Sequence, residues 1–120
     1  MKRFLAGLAV AGIMLAANSI VEDAKKKIKE GKYDEAITAL DAEHKAKPKS
    51  PEVTTALVDA HMAYGDFNMN NPQLPPFRKY PAALREYRKV VEIDKTNKKA
   101  NENIATIEGI YKQMGRPIPK

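Results

Sequence analysis

A short motif, Gly31-Lys32-Tyr33, returns as Gly65-Asp66-Phe67 at a distance of 34 residues, with helix-forming sequence on both sides of each copy. A period of this length constrains the architecture strongly, because so short a unit cannot bury its own apolar face and must stack on its neighbours. The punctuation between the copies is helical. Glu22 to Glu30 is rich in lysine and ends at Gly31, a residue that readily takes the left-handed conformation of a helix end. Asp34 opens a helix over Glu35 to Lys47, with Ala36, Ile37 and Leu40 on one face and Pro48 closing it. In Ser50-Pro51-Glu52 the serine can cap free amides, the proline suits the first helical position and the glutamate suits the positive end of the helix. A third helix is therefore expected from there to about Tyr64, ended by Gly65-Asp66-Phe67. Pro81 starts a fourth, running to Asp94 with Leu84, Tyr87, Val90, Val91 and Ile93 as its apolar residues. A fifth runs from Lys98 to Met114 and stops at Gly115, with Pro117 and Pro119 just beyond.

The segment Gly31-Lys32-Tyr33-Asp34-Glu35-Ala36-Ile37 resembles the inter-helix turn and second helix of the tetratricopeptide repeat family. The family's small residue followed four positions later by a large one is matched by Ala36 and Leu40, then by Ala83 and Tyr87; Leu57 takes the leucine place of a first helix, with Val58 and His61 where glycine and tyrosine are usual. Pro48 matches the closing proline, which the second repeat replaces with Lys95. The resemblance implies an all-α solenoid of two tetratricopeptide-like helical hairpins plus a C-terminal capping helix. Ala36 and Ala83 are 47 residues apart, 13 more than the period, so an inserted loop is expected over 68–79. Its prolines and asparagines favour extended and turn conformations. Leu74 and Phe77, apolar among those prolines, either fold back on the helices or contact a partner.

The chain start reads as an address. Lys2 and Arg3 precede an uncharged stretch that ends in small residues near Ala17, the pattern of a secretory signal peptide over residues 1–17. Phe4 to Val21 is 18 residues without charge, at the margin for an uncleaved membrane anchor. Either way the repeat domain, 18–114, and the tail, 115–120, are expected across the cytoplasmic membrane, in the periplasm or outside the cell. The 120 residues suit one small domain, and 43% hydrophobic with 30% charged residues is ordinary for a folded protein. Lack of cysteine removes disulfides, thiolate chemistry and a lipoprotein anchor. The net charge is +6, of which Lys2 and Arg3 supply two, and most lysines alternate with acids, so nucleic acid is not an expected partner.

No catalytic constellation is legible. Ser19 and Ser50 are the only serines and are explained by processing and capping, and neither has a histidine at a telling spacing. His44 and His61, with Asp41, Glu43 or Asp59 nearby, form no two-histidine metal motif. Neither enzyme activity nor a metal or other cofactor is expected. The resemblance instead implies a groove for a protein or peptide, lined by the first helix of each repeat: Val21, Lys25, Ile28 and Lys29, then Thr55, Asp59, Met62 and Ala63, then Glu102 and Thr106. Some family members grip a terminal carboxylate with a set of lysines and asparagines, and Val21, Lys25, Thr55, Ala56 and Asp59 do not reproduce that set. Two repeats fall short of the three or more that usually stabilise a stack. The missing surface is supplied by a partner protein or, alternatively, by end-to-end self-association into oligomers or filaments.

Overall fold

The computed structural model describes residues 19–120, so the expected signal segment lies outside the described residues. Within them the chain is all-α, with five helices packed in sequential pairs. Helix α1 is described over 19–29; α2 is Tyr33–Ala46, α3 Pro51–Met69, α4 Pro76–Ile93 and α5 Lys98–Gln113. None of the described helices is long and apolar enough to cross a membrane. The chain divides into two compact units, one ending at Ala60 and one running from His61 to Lys120, with the boundary inside α3.

In the first unit the turn after α1 is built as the sequence implies. Gly31 has φ +78°, the Lys32 N–H reaches the Lys27 carbonyl at 2.8 Å and the Gly31 N–H reaches Ile28 at 3.0 Å. This pair of bonds satisfies carbonyls that the helix end leaves free, and the left-handed residue it needs explains the glycine. Helix α2 carries Asp34 and Glu35 in its first turn, where negative charge meets the positive end of the helix dipole. Its buried face is Ala36 and Leu40, which are solvent-excluded along with Val53 and Leu57 of α3. Ser50 accepts the Val53 N–H at 3.5 Å, and the Thr54 hydroxyl donates to the Ser50 carbonyl at 2.9 Å while lying 3.4 Å from His44 Nδ1.

The second unit departs from the sequence expectation. Gly65-Asp66-Phe67 is not a turn: α3 continues through it to Met69, and Gly65 has no positive φ. A glycine inside a helix costs only about 1 kcal/mol, so tertiary packing can override it. The packing here is the ring of Tyr87. A Cβ on Gly65 would stand 2.6 Å from Tyr87 Cε1, so the bare backbone is the seat for the ring. The identical spacing of the two glycines thus hides two different jobs.

The loop is shorter than 68–79. Residues 70–75 are non-helical, and α4 begins at Pro76 rather than Pro81. Asn71 Oδ1 accepts the Gln73 N–H at 3.0 Å, and the Pro75 carbonyl accepts the Arg78 and Lys79 N–H groups at 2.9 Å each, which starts the helix. Pro76 suits the first turn, whereas Pro81 lies inside the helix and has no N–H to give the Phe77 carbonyl. The helix survives because its apolar face is buried on both sides of the proline. Tyr80 packs on a cluster of Ala83, Leu84, Tyr87, Ile107 and Tyr111. Each large side chain so buried contributes about 1.5–3 kcal/mol, against a cost of about 3 kcal/mol for an interior proline.

Asn97 caps α5 by accepting the Ala100 N–H at 2.9 Å. At the other end Gly115, with φ +65°, repeats the geometry of Gly31: the Arg116 N–H reaches Tyr111 at 3.0 Å and the Gly115 N–H reaches Lys112 at 3.1 Å. Ile118 then packs on the core cluster of the unit.

Gly65→Ala should lower stability by about 1–3 kcal/mol through overpacking against Tyr87, outweighing its helix-propensity gain of about 1 kcal/mol. Gly109→Ala meets nothing within 4 Å and should gain roughly 0.5–1 kcal/mol. Urea unfolding of both variants checks the pair, and equal effects would mean that the Tyr87 contact does not decide the helix.

Candidate functional site

The most coherent surface feature of the first unit is a cleft between α1 and α3. Val21, Glu22 and Lys25 project from one face of α1, and Pro51, Glu52, Thr55, Ala56 and Asp59 from one face of α3, enclosing about 400 Å³. The spacing of four residues within each set is what brings the side chains to a common face. Buried Val21 and Ala56 form an apolar floor, and the rim is polar with an acidic excess. Lys25 Nζ lies 3.4 Å from Glu22 Oε1, Glu52 accepts the Ser50 hydroxyl at 3.3 Å, and exposed Asp59 has no ion-pair partner among the described residues. Such a cleft can hold an apolar side chain while its rim favours a cation or hydrogen-bond donors.

Four of the residues expected to line a groove, Val21, Lys25, Thr55 and Asp59, meet at this cleft. Ile28, half-buried, and Lys29, exposed, lie further along α1 and do not line it. The remaining four belong to the second unit. Met62 packs on its core cluster and Ala63 is half-buried. Glu102 and Thr106 are exposed on α5, where the Thr106 hydroxyl donates back to the Glu102 carbonyl at 3.0 Å. Leu74 is half-buried in the 70–75 loop, while Phe77 is on the first turn of α4 and 70% exposed, so the two apolar loop residues separate into one that tucks in and one that points out.

The second unit contains two polar pairs between α3 and α4, one part-buried and one buried. The Tyr87 hydroxyl of α4 donates to Asp66 Oδ1 of α3 at 2.6 Å, and Lys99 Nζ stands 3.8 Å from Asp66 Oδ2. Burial, reinforced by the hydrogen bond and charge of Asp66, holds the Tyr87 phenol well above the usual tyrosine range. Deeper along the same two helices His61 Nδ1 lies 3.4 Å from Glu86 Oε1, without the alignment of a hydrogen bond, and both side chains are almost fully enclosed. Glu86 Oε2 is buried with no hydrogen-bond partner. The unit contains no serine or cysteine, so this pair sits beside no such nucleophile. The pair lies between α3 and α4. Among the described residues no group of three or more His, Cys, Asp or Glu is placed to hold a metal ion.

Sequence reasoning noted His61, as the residue in place of a usual tyrosine, but missed Glu86 and the Tyr87–Asp66 bond. The available signal was Tyr87 itself, because a tyrosine on a core face needs a partner for its hydroxyl. No family model matches the chain, and neither curated proteins nor solved structures include one similar to it.

The raised phenol gives a pH signature. An unfolded tyrosine titrates near pH 10, so the folded state holds the Tyr87 proton more tightly than the unfolded chain. The associated stability is complete below about pH 10 and is lost as pH rises beyond it. Tyr87→Phe should cost roughly 1.5–3 kcal/mol at neutral pH, as expected for a hydrogen bond to a charged group, and should flatten the alkaline fall. Denaturant titrations at neutral and alkaline pH test this; an unchanged alkaline fall in the variant would assign the proton to another group.

Proposed function

We propose that the chain is an exported, non-enzymatic binding module with tetratricopeptide-like helical hairpins, which holds a protein or peptide in the cleft between α1 and α3. The cleft carries the reading: two helices corresponding to the first helices of the proposed hairpins present an apolar floor and an exposed polar rim toward one volume of about 400 Å³. Pockets of about 300–1,000 Å³ are the size that receives a ligand or a partner's side chain. The hairpin reading is supported by Ala36 and Ala83, both fully buried where small residues let helices approach, and by the left-handed Gly31 turn. The leader-like residues 1–17 support an exported location.

A photo-crosslinker placed at exposed Thr55 in the full-length chain, expressed in its own cell, tests the cleft. A discrete adduct is expected from Thr55 and not from exposed Thr38 on α2, which lies outside the cleft. An adduct of twice the chain mass would instead favour self-association, and equal labelling from both positions would defeat the reading.

A further inference from the structure

The second unit carries a hollow of different chemistry, lined by Pro76, Phe77, Tyr111, Met114, Arg116 and Pro117 and holding about 720 Å³. Three large apolar side chains are exposed among the described residues, and two of them, Phe77 at 70% and Met114 at 46%, flank this hollow. Its base includes Tyr111, which is buried in the core cluster. The one charged residue in its lining is the cation Arg116, and the sequence segments that supply the lining are basic up to Glu86 in one and from just after Glu108 in the other. Residues 76–85 and 109–120 together contain six Lys or Arg and no Asp or Glu. Among the described residues none of those six has an ion-pair partner, whereas lysines such as Lys25, Lys27, Lys45, Lys47 and Lys99 each have a carboxylate within reach. Arg78 and Lys79 also occupy the first turn of α4, which has no acidic residue and no side-chain cap, so they face the positive end of the helix dipole.

We propose that this hollow is a docking site for an acidic protein segment bearing an apolar anchor side chain. The anchor enters between Phe77 and Met114, and carboxylates beside it meet Arg78 and Arg116 and relieve the repulsion between these cations and the α4 terminus. A concave apolar base between Phe77 and Met114 receives one inserted side chain, whereas a lipid surface would leave such a hollow unfilled. A nucleic acid would need several aromatic faces along a track, and the exposed aromatic here is Phe77 alone. The site is separate from the α1–α3 cleft, so it stands or falls independently of that reading.

The test uses the full chain and a fluorescein-labelled synthetic peptide, Glu-Asp-Glu-Phe-Glu-Asp-Leu-Glu, followed by fluorescence anisotropy. Binding should weaken as salt is raised and should fall about tenfold or more in Phe77→Ser and in Arg116→Glu. Both residues are exposed, so each variant should keep the helical circular dichroism of the parent. Thr38→Ala, exposed on α2 and outside both sites, should bind the peptide as the parent does. The proposal is overturned if the peptide binds no better than its all-lysine counterpart, or if Phe77→Ser binds it unchanged. It is equally overturned if single-stranded DNA or phosphatidylserine vesicles displace the peptide through Phe77, or if Phe77 mediates association of the chain with itself.

Discussion

The second unit depends on the contact between one ring and one bare stretch of backbone. Tyr87 occupies the space that a side chain at position 65 would take, and its hydroxyl is fixed by Asp66 on the next residue of α3. That bond joins α4 to α3. The core cluster of Ala83, Leu84, Ile107 and Tyr111 assembles around it. Burial of the ring contributes about 3 kcal/mol, and the charged hydrogen bond a further 1.5–3 kcal/mol, which exceeds the roughly 1 kcal/mol lost by placing glycine in a helix. That inequality is why α3 runs through Gly65 when its local sequence reads as a stop.

Legibility follows from how local each feature is. The end of α1 at Gly31 and the end of α5 at Gly115 were readable, because each is determined by a few consecutive residues and by the need for a positive φ. Ala36 was readable because helical spacing assigns it to one face with Ile37 and Leu40, and Ala83 because the resemblance implied a small residue there; both are fully buried. Gly65 was not readable. Its neighbours mimic those of Gly31, and what distinguishes it is a tyrosine 22 positions later in the chain. The start of α4 was misread for the same kind of reason: two prolines compete for the first turn, and the choice is made by Tyr80 packing on the core rather than by the prolines themselves.

The expected groove shows a related limit. The resemblance implied Val21, Lys25, Thr55 and Asp59 as groove residues, and these four line the α1–α3 cleft, but the meeting of their helix faces is a tertiary fact. Extending the same list along the chain brought in Met62, whose side chain belongs to the core of the second unit. Charge was legible only as an average. Alternating acids and lysines describe much of the chain, and the many pairs at three- or four-residue spacing agree with that pattern. The average conceals the acid-free segments 76–85 and 109–120, which are far apart in sequence and become one surface through the packing of α4 with α5.

At the start of α4 several departures from local stability coincide. The helix begins without a side-chain cap, puts two cations where an acid would be favourable, and carries a proline that deprives the Phe77 carbonyl of its helical donor. Phe77 itself is left largely in water. Each departure costs a fraction of a kcal/mol to a few kcal/mol, and none is required by the core, whose contacts are made by Tyr80, Ala83 and Leu84. Helix α5 also opens with two cations, Lys98 and Lys99, but has Asn97 as a side-chain cap, and α2 lacks a side-chain cap but has Asp34 and Glu35 in its first turn; α4 has neither compensation. Folding alone gives no reason to concentrate unfavourable choices in a single helical turn beside an apolar hollow. A surface that meets an acidic partner does, because that partner supplies the negative charge and the apolar contact which the free chain lacks.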